Sequence, residues 1–254
     1  MTRLLHSLLA QYNHPFLSGD PVYFVHQYTN PRDQEIVALI SALLAFGNVK
    51  SIHASIKKVL DLMGPCPAQF LSEFDPEAQK SLFEKLGHRW VRGQDLLLLF
   101  TVIQKILKEY STLEDFFLQG YRDQDPDISN VLHHFSKNAL NLAGTKKHSR
   151  GFRYFFPSPQ GGSPCKRLVL FLRWMIRPAD GIDLGLWKKI PASKLIIPLD
   201  THIYSFAQKF RLSRYKNANW KVASEVTAFL RTIDPKDPVR FDFSICHYGM
   251  EVGW

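Results

Sequence analysis

"DQEIVALISALLAFG", residues 33–47, places its apolar side chains at a helical period. Ile36, Leu39, Ile40, Leu43 and Leu44 recur at steps of three and four, which lines one face of an α-helix. Asp33 is placed to cap the first turn and Gly47 to stop the last. The same period predicts a second long helix in "GQDLLLLFTVIQKILKEY" (93–110), apolar almost all round at its start and hence deeply buried. Further helices are expected at 112–119, at 127–143 between Pro126 and Gly144, at 166–177, at 218–232 and at about 238–252. No stretch alternates as a convincing strand, no Asn-Gly hairpin occurs, and no repeat recurs at a fixed period. The chain reads as an all-α protein.

With 45% apolar and 22% charged residues the composition is that of a globular chain, and 254 residues suffice for one large domain or two lobes. Purely apolar stretches such as "LLLLF" at 96–100 are far too short to span a bilayer. "MTRLLHSLLAQYNHPF" lacks a small-residue cleavage site and does not read as a signal peptide. Cys66, Cys165 and Cys246 lie far apart, without the spacing of a disulfide framework, a zinc site or an iron–sulfur cluster. A reducing, cytoplasmic setting is the expectation. The adjacent His133 and His134 point apart on a helix and make a poor metal pair, so no metal site is expected.

The net charge of +9 is concentrated. No acidic residue occurs between Asp127 and Asp180, while that window holds Lys137, Lys146, Lys147, Arg150, Arg153, Lys166, Arg167, Arg173 and Arg177. Clustered Lys and Arg are what neutralising phosphates needs, although a plain basic face has the same composition. Within the window, "GTKKHSRGFRYFFPSPQGGSPC" (144–165) has loop chemistry and interleaves aromatic rings with cations. Rings on which bases stack and cations that pair with phosphates suit a nucleic-acid groove, and such rings equally suit a loop packing on its own core.

Two residues stand out as chemistry. Lys166 opens an apolar helix behind the Gly161–Gly162 turn, where the helix dipole disfavours a cation. A lysine whose pKa is lowered by burial and by a neighbour such as Arg167 is an amine nucleophile; otherwise it is a phosphate contact. Asp200, after the helix-blocking Pro198, falls at or beside the start of another helix, with Thr201 the other cap candidate. Leu199, Ile203, Phe206, Ala207 and Phe210 form that helix's buried stripe. A carboxylate there stays ionised and could stabilise a sugar cation, or it simply caps the helix.

These residues carry a resemblance. "IIPLDTHIYSFAQKFRL" resembles the Pro/Val-Asp-Thr-His segment of the helix-hairpin-helix DNA glycosylases, the endonuclease III superfamily. "GGSPCKRLVLFLRWM" stands where that superfamily has a Gly-rich hairpin and a helix whose early lysine forms a Schiff base. "DQEIVALISALLAFGNVKSI" is similar to its first barrel helix and "DFSICHYGM" to its closing one, so the likeness spans roughly 30–250. The combination is closest to an uncharacterised bacterial family within the superfamily. The longer Lys–Asp separation, caused by the 178–194 loop, resembles the archaeal 8-oxoguanine glycosylase branch. Two departures stand out. Pro164 replaces the usual second hairpin glycine and removes a backbone donor, and the C-terminal four-cysteine cluster is absent.

The resemblance implies a two-lobed helical fold with an atypical hairpin. A central barrel-like lobe would cover 33–190 and a second lobe 1–32 with 191–254, and the cleft between them would bring Lys166 and Asp200 together. It implies a DNA glycosylase with lyase activity, using Lys166 as nucleophile and Asp200 as stabiliser of the cationic transition state. Lys146, Lys147, Arg150, Arg153, Gly161, Gly162, Ser163 and Arg167 would contact DNA. Phe155, Trp174, Trp187 and His202 could wall a flipped-base pocket, with core packing the better account of Trp174 and a structural hydrogen bond that of His202. No cofactor is expected, the partner would be damaged duplex DNA, and the protein would be a monomer. The alternative is a non-catalytic DNA- or RNA-binding protein on the same scaffold, which Pro164 favours.

Overall fold

The computed structural model describes residues 1–14, 19–144 and 147–253. The fold is all-α. In chain order the helices are α1 (Thr2–Tyr12), α2 (Pro31–Leu44), α3 (Val49–Met63), α4 (Pro67–Ser72), α5 (Lys80–Phe83), α6 (Gly93–Tyr110), α7 (Leu113–Leu118), α8 (Ser129–Leu142), α9 (Arg150–Phe155), α10 (Lys166–Ile176), α11 (Thr201–Lys209), α12 (Trp220–Arg231) and α13 (Asp242–Val252). Between α5 and α6 a small antiparallel hairpin pairs β1 (Gly87–His88) with β2 (Val91–Arg92), an element that residue alternation did not reveal. Among the described residues no helix is long and apolar enough to cross a membrane.

The chain divides into two compact units, each assembled from discontinuous segments. Residues 19–120 and 131–157 form a middle unit; residues 1–18, 121–130 and 158–254 form a terminal unit that holds both chain ends. The division falls elsewhere than the expected 33–190 boundary. The hairpin-like turn and α10 go with α11–α13: the Gly162 carbonyl accepts the Trp220 N–H of α12, and Arg173 pairs with Asp242 of α13.

In the middle unit α2 is the core. Every residue from Ile36 to Leu44 is at most 1% exposed, so the expected one-sided stripe is a helix buried all round. Asn30, not Asp33, caps it: the Asn30 side chain accepts from the Arg32 N–H at 2.9 Å, with Pro31 at the first helical position. Asp33 instead caps a neighbour, accepting from the Ala68 N–H at the start of α4 (2.7 Å). Glu35 does the same for α7, accepting from the N–H groups of Leu113 (2.9 Å) and Glu114 (3.0 Å). Two buried carboxylates thus satisfy helix N-termini that would otherwise leave donors unpaired. Phe117 and Phe135 stack at 3.9 Å between centroids, and Phe116 and Phe156 close around Phe135. Gly93 lets α6 start against α5, for a Cβ there would lie 1.8 Å from the Phe83 carbonyl oxygen.

In the terminal unit α1 and α11 both pack on α13. Leu5 and Leu8 of α1 are buried, the His6 ring meets Phe241 edge-on, and the Tyr12 hydroxyl donates to Glu251 at 2.6 Å. α10 is buried from Arg167 to Ile176. The 144–165 stretch is not all loop: α9 occupies its centre, capped by the Ser149 hydroxyl, which accepts from the Phe152 N–H at 2.9 Å.

Candidate functional site

Lys166 stands at the first position of α10 behind a stiff turn. The turn begins as a single 3₁₀ turn, Pro159–Gly161, then passes through Gly162 at φ +78°, a left-handed conformation that favours glycine. The Gly162 carbonyl accepts the N–H of Trp220 at 3.2 Å, tying the turn to the start of α12. Ser163 Oγ accepts from the Cys165 N–H at 3.2 Å. Cys165 is itself left-handed (φ 50°) and supplies no side-chain cap to α10. Burial pushes its thiol up to about 12, against the opposing pull of Ser163 and Arg167, which disfavours the nucleophilic thiolate. Lys166 is half-buried, with exposed Gly161 and Gly162 before it.

Asp200 is the N-cap of α11. Its Oδ1 accepts from the Ile203 N–H at 2.8 Å, and its Oδ2 accepts from the Cys246 thiol at 3.1 Å. The side chain is half-buried. Capping and chemistry are therefore compatible here, because the cap uses one carboxylate oxygen and leaves the other turned to α13.

α13 links the helices that carry these two residues. Arg173, two turns along α10 from Lys166, makes an ion pair with Asp242 in the first turn of α13, and Asp242 is one helical turn from Cys246. Arg173 also meets Asp183 at 3.1 Å, and Arg177 meets Asp183, Asp180 (3.2 Å) and Asp237 (2.9 Å). Two guanidinium groups thus face four carboxylates, of which Asp183 and Asp242 are almost wholly buried. Burial pushes Asp242 up to about 7; Arg173 pulls it down, and Asp200 and Asp183 push it up. Burial likewise raises Asp183 against Arg173 and Arg177, while for Asp180 backbone N–H groups and Arg177 outweigh burial and hold it low.

The expected site residues divide between the units. Lys166 and Asp200 fall in the same unit, not on opposite lobes, because both their helices are fastened to α13. Gly161, Gly162, Ser163, Arg167, Trp174, Trp187 and His202 lie in that terminal unit, whereas Lys147, Arg150, Arg153 and Phe155 lie in the middle unit. Lys146 lies outside the described residues. Lys147, Arg150 and Arg153 are exposed, as phosphate contacts must be, but Arg167 is buried at 6% and belongs to the interior. Arg173 and Arg177 are also removed from the basic surface, neutralised by acids from beyond the window.

The pocket-wall residues fare similarly. Phe155, Trp174 and Trp187 are buried, Trp187 against the Phe171 ring at 5.2 Å, so they are core. His202 is half-buried with Nδ1 enclosed and unpartnered, and Gly249 presses on it: a Cβ at Gly249 would lie 2.8 Å from the His202 Cβ. A cavity of about 970 Å³ in the middle unit is lined by Tyr23, Tyr28, His53, Lys57, Asp61 and Cys66 among others, and by none of the expected catalytic, DNA-contact or base-pocket residues.

Sequence reasoning missed Cys246, Asp242 and the acids around Arg173 and Arg177. One signal was present: Arg173 and Arg177 lie four apart at the end of a mostly apolar helix, and arginines buried there demand carboxylates. No curated protein and no solved structure matches the chain. One family does, over residues 20–251, and the chain belongs to it: the family described as a protein of unknown function, DUF2400.

Proposed function

We propose that the protein is a DNA glycosylase with lyase activity, acting on duplex DNA that carries a damaged base. One observation supports this reading above the others. A lysine opens α10, whose N-cap residue supplies no side-chain acceptor, behind an exposed Gly-Gly turn, and an aspartate caps α11 in the same unit, with α13 fastened to both helices. A helix start of this kind offers N–H groups and a cation to a phosphate or sugar.

In this reading the neutral Lys166 amine attacks C1′ of the nucleotide, and the C1′–N bond breaks with its electron pair leaving on the base. One amine proton goes with the departing base and the second to O4′ as the ring opens, leaving a Schiff base at C1′. Loss of a C2′ proton then expels the 3′ phosphate. Asp200 bears the negative charge that offsets the sugar cation in the first step. The exposed Lys147, Arg150 and Arg153 supply phosphate contacts.

Borohydride trapping on duplexes carrying 8-oxoguanine, uracil or an abasic site tests this. The expected result is a covalent adduct that Lys166→Ala abolishes, with Asp200→Asn slowing base release by about 10²–10⁴-fold. No adduct on any of them would overturn the Schiff base. Salt-sensitive binding without base release would then favour the second reading, a non-catalytic binder, which rests on Pro164 and its missing backbone donor.

A further inference from the structure

The tip of the β1–β2 hairpin and the start of α9 bring together a cationic pair, of which only Arg150 falls in the basic window of the sequence. The two-residue tip is Arg89–Trp90, and Arg89 sits at φ 53°, a left-handed conformation that glycine or asparagine adopts more readily. The hairpin is held from below. His88 is buried, with Nε2 2.6 Å from the Phe46 carbonyl oxygen and Nδ1 3.0 Å from Ser55 Oγ. The rings of Phe46, Trp90 and Tyr154 meet one another at 4.9–5.1 Å. α9 is fitted against the tip by Gly151, where a Cβ would lie 3.1 Å from the Trp90 carbonyl oxygen and 2.2 Å from Asp95 Oδ2.

This packing brings two guanidinium groups to one indole. The Arg89 guanidinium lies 5.1 Å from the Trp90 ring and that of Arg150 5.3 Å. Arg89 rests on Gly47, at which a Cβ would fall 2.9 Å from the Arg89 Nη1. Both arginines are exposed, and among the described residues neither is paired with a carboxylate. Asp95, the nearby acid, is occupied by the Arg92 N–H at 2.8 Å and the Ser149 hydroxyl. Two like charges against one indole, with no carboxylate paired to either among the described residues and Arg89 on a tip whose backbone favours another residue type, form a place where an anion relieves repulsion.

We propose that Arg89, Trp90 and Arg150 form a seat for the phosphodiester backbone of a nucleic-acid strand. The open position of both guanidiniums fits a polymer passing over the tip better than an enclosed ion. Lys147 and Arg153, three residues to either side of Arg150 in the chain, are exposed as well. Guanidinium groups stacked on an indole keep their planar N–H forks turned outward for phosphate oxygens. The inference requires neither Lys166 nor Asp200 and stands or falls without Schiff-base chemistry.

The test is binding of the full-length protein to labelled single-stranded and duplex oligonucleotides across a salt series. Arg89→Gln/Arg150→Gln should weaken binding by roughly ten- to fifty-fold near physiological salt and reduce the log–log salt slope by about 2. Arg89→Lys/Arg150→Lys should keep most of the slope, since the charges remain. An unchanged circular dichroism spectrum for both variants excludes misfolding as the cause. Wild-type affinity and slope in the glutamine variant would overturn the proposal. Displacement of the oligonucleotide by low-millimolar inorganic phosphate, with the glutamine variant insensitive to it, would overturn it in favour of a free-anion site.

Discussion

One carboxylate oxygen of Asp200 caps α11 while the other takes the Cys246 thiol, so capping and chemistry separate by substitution. Asp200→Asn keeps an acceptor for the Ile203 N–H and should leave unfolding stability nearly unchanged, whereas Asp200→Ala should cost about 1 kcal/mol, read from urea denaturation. Both should lose base release if the carboxylate charge is what the reaction uses. Asp242 gives a pH signature. Its folded-state pKa, raised to about 7, means the folded protein binds a proton that the unfolded chain has already lost. Its contribution is full below the ordinary carboxylate range and disappears as pH rises towards 7. Wild type should therefore lose stability between about pH 4 and pH 7 relative to Asp242→Asn, by urea midpoints at each pH. Asp200 was legible because Pro198 and the stripe from Leu199 to Phe206 fix where α11 starts. Asp242 and Cys246 were not, since their partners lie 69 and 46 residues away and no local pattern records such a pairing.

At the scale of elements, α5 and α6 meet backbone to backbone at Gly93. Gly93→Ala would drive a methyl group into the Phe83 carbonyl, which neither α5 nor α6 can yield without moving. The variant should lose about 2–4 kcal/mol and show a lower thermal midpoint with helicity retained at low temperature. α6 itself was legible to the residue at 93–110, because a long apolar run with a glycine before it has only one helical solution. The start of α2 was misjudged: Asp33 has the right chemistry for a cap, but Pro31 fits the first helical position and moves the cap to Asn30. α9 was hidden by its six-residue length and loop-like composition, and the β hairpin by strands of two residues each. Tertiary packing, not local propensity, holds such short pieces.

Across the whole molecule, α-helical content was legible from periodicity, while the partition into units was not, because each unit gathers segments from distant parts of the chain. α1 is the clearest case. It packs on α13, covering Phe241 and offering Tyr12 to Glu251 across 239 residues. Removing residues 1–13 should expose that face of α13 and lower the urea midpoint of the terminal unit, with the middle unit's transition unmoved when the two are followed separately. The same contact orders events during synthesis. The middle unit has all its segments once residue 157 has left the ribosome, and it can fold while the rest is being made. α1 must wait for α13, which follows every helix of the middle unit. Until α13 has been made the apolar face of α1 lacks that partner, which makes α1 the segment a chaperone would hold.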